Sequence, residues 1–429
     1  MRAAFYECDI TPPLGGLLWG HYHDLRAVGV ADRLFARAAV IEGEDKTVAA
    51  FVTVDCCALP AGIHESVTKR IFEYTGIKPE NVCISSNHTH WGAPVKDSPE
   101  IGCYADAAYL DVFLRLTADA VILAYRRLDT ASAYYGTGLA EGIAFSRNYK
   151  LKDGRCITWA GNVAPEDIVE RNSEADPTVR VVMLERGGVP VGALYHFTCH
   201  QCCCSYGDAG EEYTGDFSSI VSKELKKKYG EDFVAVYLPG PAGDITHLVD
   251  NQFHTTSDHY RMMGKKLADA VVASRENARA LEDRVCVTFD KITIPHRQIS
   301  HADALKEIAR LYTSYAGVMR ARNLAYYTKV HTLEGEYILQ AVNLGGVCLY
   351  IMPGEVFIDH GKRIMQSSSY KDSMLVHNSN TYCGYIPTKE AFGEGYDLYE
   401  ATLCYHSCLI PEAGDLMTNR LLELGEAIK

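Results

Sequence analysis

The sequence lacks a hydrophobic run long enough to enter or cross a membrane. Its first residues have no apolar segment before Glu7 and Asp9, which excludes an ordinary secretory signal. The apolar stretch Val48–Val54 is interrupted by a threonine, whereas a membrane-spanning helix needs about 20 apolar residues. These features predict a cytoplasmic protein that forms no stable association with membranes.

The sequence also has fewer basic than acidic residues. The chain of 429 residues has 42 Lys and Arg against 55 Asp and Glu, a net charge of −13. A field of this sign repels phosphate backbones and anionic lipid headgroups, so we expect neither nucleic acid nor a membrane surface as a partner. The partner expected instead is a small molecule, and the oligomeric state stays open.

Cysteine is abundant, but a disulfide framework is not indicated. The count of 15 is odd, and without a secretory signal the thiols are expected to be reduced. Cys199 and Cys202–Cys204 flank His200, yet adjacent cysteines cannot all point at one metal ion. No Cys-x-x-Cys pair is matched by a second at zinc-ribbon spacing. We expect these cysteines to be mainly packing residues, with their role otherwise open.

Short apolar runs alternate with longer amphipathic stretches, and no repeat, low-complexity segment or linker interrupts them. This order predicts an α/β fold of mixed β-sheets layered with helices, built as one domain over residues 1–429. Strands are predicted at 36–41, 48–54, 81–85, 179–184, 191–197, 233–238, 285–294, 337–342 and 346–351. Helices are predicted at 63–73, 107–127, 218–229, 258–280, 301–324, 355–366 and 412–424.

The strongest local signal for chemistry is the segment Ser86-Asn87-His88-Thr89-His90 at the end of a predicted strand. Residues two apart on a strand point the same way, so His88 and His90 can face one pocket. Two imidazoles on one face can begin a zinc site, but a bare pair can equally be packing or surface histidines. His21 and His23 follow a glycine-rich loop and either line the mouth of the pocket or lie outside it.

Three later segments also place polar side chains at turns. His200 follows the strand 191–197, and Glu355 follows the Pro-Gly turn after the strand 346–351. Glu355 is expected to open a helix, where a carboxylate complements the helix dipole. Tyr385 and Tyr399 are two of 27 tyrosines and carry little signal on their own. Asp216 is expected to cap a helix, whereas Asp244 either lines the site or lies in a structural turn.

Taken together, these segments resemble the neutral and alkaline ceramidase family, the zinc-dependent N-acylsphingosine amidohydrolases, and most closely its compact bacterial members. The matching segments run from about residue 5 to 402 in the family's order. They are Asp9-Ile10-Thr11-Pro12-Pro13, Gly29-Val30, Ala36-Arg37-Ala38, Asn81-Val82 through His88-Thr89-His90, Phe145 to Tyr149, Gly215-Asp216-Phe217, Gly240 to Ile245, and Pro353-Gly354-Glu355 followed by Gly361-Lys362-Arg363. The resemblance implies a catalytic domain of the neutral ceramidase type, without the family's C-terminal immunoglobulin-like domain.

The resemblance also implies roles for individual residues. The implied ligands of a Zn²⁺ ion are His88, His200, Glu355 and Tyr385. The implied catalytic residues are His90, which faces the substrate beside the metal, Arg147, which contacts the substrate, and Tyr399, which donates to the oxyanion. The activity implied is hydrolysis of a linear amide by metal-activated water.

The sequence departs from the family pattern near the substrate pocket. Gln201-Cys202-Cys203-Cys204 replaces the residues usual after His200, Trp91 replaces a small residue, and the interval from Tyr385 to Tyr399 is about two residues longer. The substrate is therefore expected to be a ceramide-like or a smaller soluble amide. The alternatives are a zinc esterase, lactonase or sugar-amide deacylase on the same scaffold, or a catalytically silent zinc-binding protein.

Overall fold

The apolar runs of the sequence pair into three β-sheets that share one core. The structure is a computed structural model, and it describes residues 1–21, 25–99, 102–161, 163–204, 211–249, 258–311 and 315–429. Within these ranges the α-helices are α1 Ile63–Thr75, α2 Ala107–Arg126, α3 Phe217–Tyr229, α4 His259–Ala273, α5 His301–Leu311, α6 Tyr315–Val330, α7 Ile358–Ser367 and α8 Ala413–Glu426.

The strands are numbered along the chain. They are β1 Arg2–Asp9, β2 Gly29–Val30, β3 Phe35–Glu42, β4 Val48–Val54, β5 Val82–Ser86, β6 Asp129–Thr130, β7 Ser132–Leu139, β8 Phe145–Ser146, β9 Asn148–Leu151, β10 Cys156–Thr158, β11 Ile168–Arg171, β12 Thr178–Arg186, β13 Val189–Phe197, β14 Glu212–Tyr213, β15 Val234–Pro239, β16 Ile245–Thr246, β17 Arg279–Ala280, β18 Val285–Pro295, β19 Glu334–Leu344, β20 Val347–Ile351, β21 Glu355–Val356, β22 Asp372–Val376, β23 Tyr385–Ile386 and β24 Tyr396–Asp397.

Each of the three large sheets is mostly antiparallel but contains one parallel pair. The sheets have the strand orders β5-β4-β3-β1-β6, β15-β13-β12-β7-β17 and β18-β19-β20-β22. The parallel pairs are β4 with β5, β13 with β15, and β20 with β22. The carboxyl ends of parallel strands lie at the same edge of a sheet, so the loops that follow them are natural places for functional residues.

The core lies where the inner faces of these sheets meet. Phe51, Leu194 and Leu349, one from each sheet, belong to one buried apolar cluster. Helices cover the outer faces: α2 contacts the first sheet, α3 and α4 the second, and α7 and α8 the third. The chain is therefore one large α/β domain, as its alternation of elements predicts.

The loops after the parallel strands are tied together by hydrogen bonds between the sheets. The Asn380 backbone N–H donates to Ile84 O at 2.7 Å, and the Ile84 N–H donates back to Asn380 Oδ1 at 3.0 Å. The His377 N–H donates to Pro239 O at 2.9 Å. The ends of β5, β15 and β22 are thus held at one place.

Most predicted elements are confirmed, with small shifts in their ends. Two expectations about helices are wrong. Glu355 does not open a helix, because its N–H bonds Gly384 O at 2.8 Å in the parallel pair β21–β23, and α7 begins only at Ile358. The helix predicted over 258–280 ends at Ala273, because the chain turns there toward β17. The helix predicted over 301–324 is occupied by α5 and α6, and residues 312–314 lie outside the described residues.

Two further features concern the helices and the cysteines. None of the helices in the described ranges is long and apolar enough to cross a membrane. All 15 cysteines lie within those ranges, none of them forms a disulfide there, and most are buried.

A buried ion pair supports the segment that carries His88. Asp55 Oδ2 lies 2.9 Å from Arg37 Nη1, and Asp55 Oδ1 accepts from Asn87 Nδ2 at 2.8 Å. Removing Asp55 leaves the buried Arg37 with Glu7, 3.3 Å away, as its remaining counter-charge, and breaks the hydrogen bond to Asn87. We expect Asp55→Ala to lower the free energy of unfolding by about 3–5 kcal/mol in urea denaturation.

The matched control is Glu170→Ala, because Glu170 pairs with Lys150 at the surface. This change should cost less than about 1 kcal/mol. Equal losses in the two variants would contradict a structural role for the buried pair.

Candidate metal centre and active site

The structure brings His88, His200 and Glu355 together, and we call these three residues the His–His–Glu cluster. His88 Nε2 lies 3.1 Å from His200 Nε2 and 3.4 Å from Glu355 Oε2. Each side chain follows a strand of a different sheet, namely β5, β13 and β20. His88 and Glu355, which lie far apart in the chain, therefore meet in one buried place.

The outer ring nitrogens fix the orientation of both imidazoles. His88 Nδ1 lies 2.6 Å from Cys57 O, and His200 Nδ1 lies 3.4 Å from Ala242 O. A carbonyl only accepts, so each Nδ1 carries a proton, and in a neutral ring Nε2 then presents a lone pair. Two such lone pairs that face each other at 3.1 Å repel unless a proton or a metal cation lies between them.

The backbone around His88 explains why the two histidines of the sequence motif converge. His88 has a left-handed φ of 71°, and it follows the end of β5 at Ser86. The explanation from strand alternation is therefore wrong, although His88 and His90 do line the same pocket. His88 N–H donates to Cys56 O at 3.1 Å, which helps to hold this uncommon conformation.

Glu355 is a buried carboxylate with one oxygen unused. Its Oε1 accepts from the Tyr382 hydroxyl at 2.8 Å, whereas its Oε2 has no hydrogen-bond partner among the described residues. Burial opposes the charged form of both Glu355 and His88, but their mutual attraction outweighs it. The pKa of the Glu355 carboxyl is therefore well below its usual value, and the pKa of the His88 imidazole is well above its usual value. The cluster therefore demands a positive charge next to Oε2.

The donor set fits a zinc ion. Two neutral imidazole nitrogens and one carboxylate oxygen are a common zinc set with a position left for water or substrate. A second group, Cys57, His88 and His90, also has atoms close together. This second group fits a metal ion less well. Cys57 Sγ lies 4.0 Å from His88 Nδ1, and that nitrogen already forms a hydrogen bond with the carbonyl oxygen of Cys57.

Tyr385 lies beside the His–His–Glu cluster. It pairs with Glu355 in the parallel β21–β23 ladder, and side chains at paired positions extend to the same face of a sheet. Burial and the charge of Glu355 raise the pKa of Tyr385 well above 10, so it is a neutral phenol when no cation is bound. Its assignment as the fourth ligand stays a prediction.

Arg147 is a buried cation at the same cavity. Its Nε donates to Glu400 Oε1 at 2.6 Å and its Nη2 donates to Gly243 O at 2.6 Å. The guanidinium carbon lies 5.4 Å from the centre of the Tyr385 ring. Glu400, which is fully buried, also accepts from Thr158 Oγ1 at 2.6 Å, so the guanidinium is held rigidly.

His90 and Tyr399 complete the wall around the His–His–Glu cluster. His90 Nε2 lies 3.4 Å from His88 Nε2, and burial, with the neighbouring imidazoles, lowers the pKa of His90 well below 6.5. The Tyr399 ring lies 5.7 Å from the Tyr385 ring and 5.1 Å from the His406 ring, measured between centres. Every residue predicted for the site therefore lies in one region, although their catalytic roles stay predictions.

These residues line a cavity of about 900 Å³. All three tryptophans of the chain, Trp19, Trp91 and Trp159, contribute to its wall. His21 lines it too, whereas His23 lies outside the described residues. A volume near the upper end of the usual range for ligand pockets, about 300–1,000 Å³, is enough for a ligand larger than an acetamide.

Several structural residues were not distinguished by their local sequence. The local sequence around Glu400 and Tyr382 does not indicate their roles, because each acts on a partner elsewhere in the chain. Asp216 caps α3 as predicted, and its Oδ2 also accepts from the N–H groups of Cys203 and Cys204. Asp244 is absent from the cavity wall and instead accepts from the Ile358 N–H at 2.8 Å.

The cysteines near His200 serve the fold more than the cluster. Cys199, Cys203 and Cys204 are buried in the largest apolar cluster, while Cys202 and Cys204 also border the cavity. The bonds from Asp216 are made to backbone groups, so they do not depend on the thiols. This arrangement agrees with a packing role for these cysteines.

Comparison with solved structures defines the fold. A crystal structure of neutral ceramidase from Pseudomonas aeruginosa matches 99% of this chain and 74% of that chain, with a TM-score of 0.75 and 15% identity. A ceramidase complexed with C2 matches 99% of this chain and 75% of that chain, with a TM-score of 0.76 and 15% identity. The chain thus has the neutral ceramidase fold.

Comparison of sequences adds a shorter match. Neutral ceramidases of Drosophila pseudoobscura pseudoobscura and Drosophila melanogaster are each 38% identical over 92 residues, 20% of this chain but only 13% of the relative. No protein-family model matches the chain. Together, these matches confirm the resemblance predicted from the motifs, and they support the assignment of this chain to the neutral ceramidase family.

The geometry of the His–His–Glu cluster leads to a direct test of metal binding. We expect wild-type protein to retain one zinc ion per chain after dialysis, and His88→Ala to retain almost none, because one of the converging lone pairs is lost. Elemental analysis of the purified proteins measures both. His301→Ala, at the start of α5 on the surface, is the control and should keep its zinc. Equal zinc contents in all three proteins would contradict this site.

Proposed function

We propose that this chain is a zinc-dependent amidohydrolase that uses water to cleave the C–N bond of an N-acyl amide. The observation that carries the proposal is the His–His–Glu cluster, with its two convergent Nε2 atoms and the unpartnered Glu355 Oε2, at the wall of a large cavity. The names of the matched relatives, which are ceramidases, support the same reaction class.

The metal and the protein would divide the chemistry between them. A zinc ion held by His88, His200, Glu355 and Tyr385 would lower the pKa of a water molecule from about 15.7 toward 7 and polarise the amide carbonyl. The chain orients its ligands through the carbonyls of Cys57 and Ala242. Such outer contacts fix the tautomer of a ligating histidine.

Three further side chains act on the substrate. Water adds to the carbonyl carbon, and Tyr399 donates a hydrogen bond to the oxyanion that develops on the substrate. His90 accepts the proton that the attacking water loses and passes it to the amide nitrogen, so that the nitrogen leaves as an amine when the C–N bond breaks. Arg147, fixed by Glu400, supplies positive charge near the carbonyl. The products are a carboxylic acid and an amine.

The size and lining of the cavity indicate which class of substrate it can hold. Its volume of about 900 Å³ and its three tryptophans favour an amide with a substantial apolar part, ceramide-like or smaller. The Drosophila match spans only 13% of those relatives, so ceramide as substrate is itself part of the proposal. We also propose that the enzyme works in the cytoplasm on a small-molecule amide, without nucleic acid or stable membrane association.

A substrate panel tests the reaction class. We expect the zinc-loaded enzyme to release amine from N-acyl amides, with kcat/KM rising from N-acetyl to longer acyl chains because the cavity buries more apolar surface, about 0.8 kcal/mol per methylene. Mass spectrometry of the released acid and amine measures the reaction. Matched esters, lactones and N-acetyl sugars form the control set. Turnover of these without any amide turnover would favour the alternative activities, and no turnover at all would favour a silent zinc-binding protein.

The role of Tyr399 is tested by removing its hydroxyl. We expect Tyr399→Phe to lower kcat by about 10²- to 10³-fold, the usual effect of losing one oxyanion donor, while its zinc content stays at the wild-type level. Tyr396→Phe, three residues away on the exposed strand β24, is the control and should keep full activity. Loss of zinc from Tyr399→Phe would contradict the assignment, because it would indicate a ligand rather than an oxyanion donor.

A further inference from the structure

The hydroxyl of Tyr382 is placed against the carboxylate that the metal centre depends on. It donates to Glu355 Oε1 at 2.8 Å, while Oε2 faces His88 Nε2 at 3.4 Å. The two oxygens of Glu355 are therefore distinct: Oε1 accepts a hydrogen bond from the protein, whereas Oε2 has no hydrogen-bond partner among the described residues and faces the imidazoles. Glu355 is 3% exposed, so the bond from Tyr382 lies in a largely buried environment.

The loop that carries Tyr382 is anchored on both sides. The Tyr382 N–H donates to Leu59 O at 2.6 Å, and two residues earlier Asn380 bonds both backbone groups of Ile84. Two residues later, Gly384 O accepts from the Glu355 N–H at 2.8 Å. The position of the Tyr382 ring is therefore fixed relative to both β5 and Glu355.

The contact itself shows which group donates. A carboxylate oxygen only accepts, so at 2.8 Å the Tyr382 hydroxyl is the donor to Glu355 Oε1. A protonated phenol offers one hydrogen, and Glu355 Oε1 receives it. Without this bond Oε1 would be a buried acceptor with no partner, and rotation of the carboxylate toward another donor would move Oε2 away from the imidazoles.

We propose that Tyr382 is a positioning residue of the metal centre, which locks the Glu355 carboxylate so that Oε2 alone is presented to the cation. This inference rests on the proposed metal site and deepens it. Tyr382 acts through Glu355 and is not itself a ligand, a role that differs from the one predicted for Tyr385. Partners of metal ligands typically contribute about 10- to 100-fold in metal affinity.

The test is the zinc affinity of Tyr382→Phe, which removes one oxygen and keeps the ring. Competition with a chelator should show about 10- to 100-fold weaker zinc binding than wild type. Substitution with Co²⁺ adds a spectroscopic readout, because a carboxylate free to rotate changes the visible absorption of the bound ion. Tyr396→Phe on β24 is the matched control, and its affinity and Co²⁺ spectrum should equal those of wild type.

A second pair of variants separates positioning from general loosening of the fold. In a Glu355→Ala background the carboxylate is absent, so adding Tyr382→Phe should cause no further loss of affinity. A further loss there, or a wild-type affinity and spectrum in Tyr382→Phe alone, would overturn the inference. Failure of the wild-type protein to bind zinc would instead overturn the proposed function, so the two failures are distinguishable.

Discussion

The centre of this structure depends on one electrostatic constraint, a buried carboxylate that needs a positive charge beside it. Glu355 Oε2 lies within 4 Å of nitrogens of His88 and His200 and has no hydrogen-bond partner in the part of the chain that the structure describes. A proton on His88 can supply the charge, but a cation supplies it while both imidazoles stay neutral. Hydrogen bonds to the carbonyls of Cys57 and Ala242 and from the Tyr382 hydroxyl orient the donor atoms toward one point.

The arrangement of the three sheets brings the three residues of the His–His–Glu cluster to one place. In each sheet the residue follows one strand of the parallel pair, and the Asn380–Ile84 and His377–Pro239 hydrogen bonds hold the strand ends together. Because the inner faces of all three sheets share one apolar core, a shift of one sheet would disturb packing throughout it. The stability of the core therefore preserves the geometry of the site.

Local patterns predict the elements well where propensity and packing agree. The strand Val48–Val54 and the helix α1 are such cases. The prediction fails at Glu355, where a helix-like pattern is overridden by pairing with Tyr385 in β23, thirty positions later. It also gives the wrong reason for the convergence of His88 and His90, because a left-handed residue cannot be recognised from alternation. Both failures lie at the site, where long-range contacts prevail over local preference.

The sequence by itself determined the fold class, the net negative charge, and the residues His88, His200, Glu355 and Tyr385 as candidates through their family resemblance. Only the tertiary structure decided which atoms converge, that Glu400 fixes Arg147, and that Tyr382 holds one oxygen of Glu355. The physical reason is that fold class follows from local hydrophobic patterns, whereas the hydrogen bonds from Tyr382 and from Arg147 join residues 27 and 253 positions apart. Such pairings are decided only when the sheets pack.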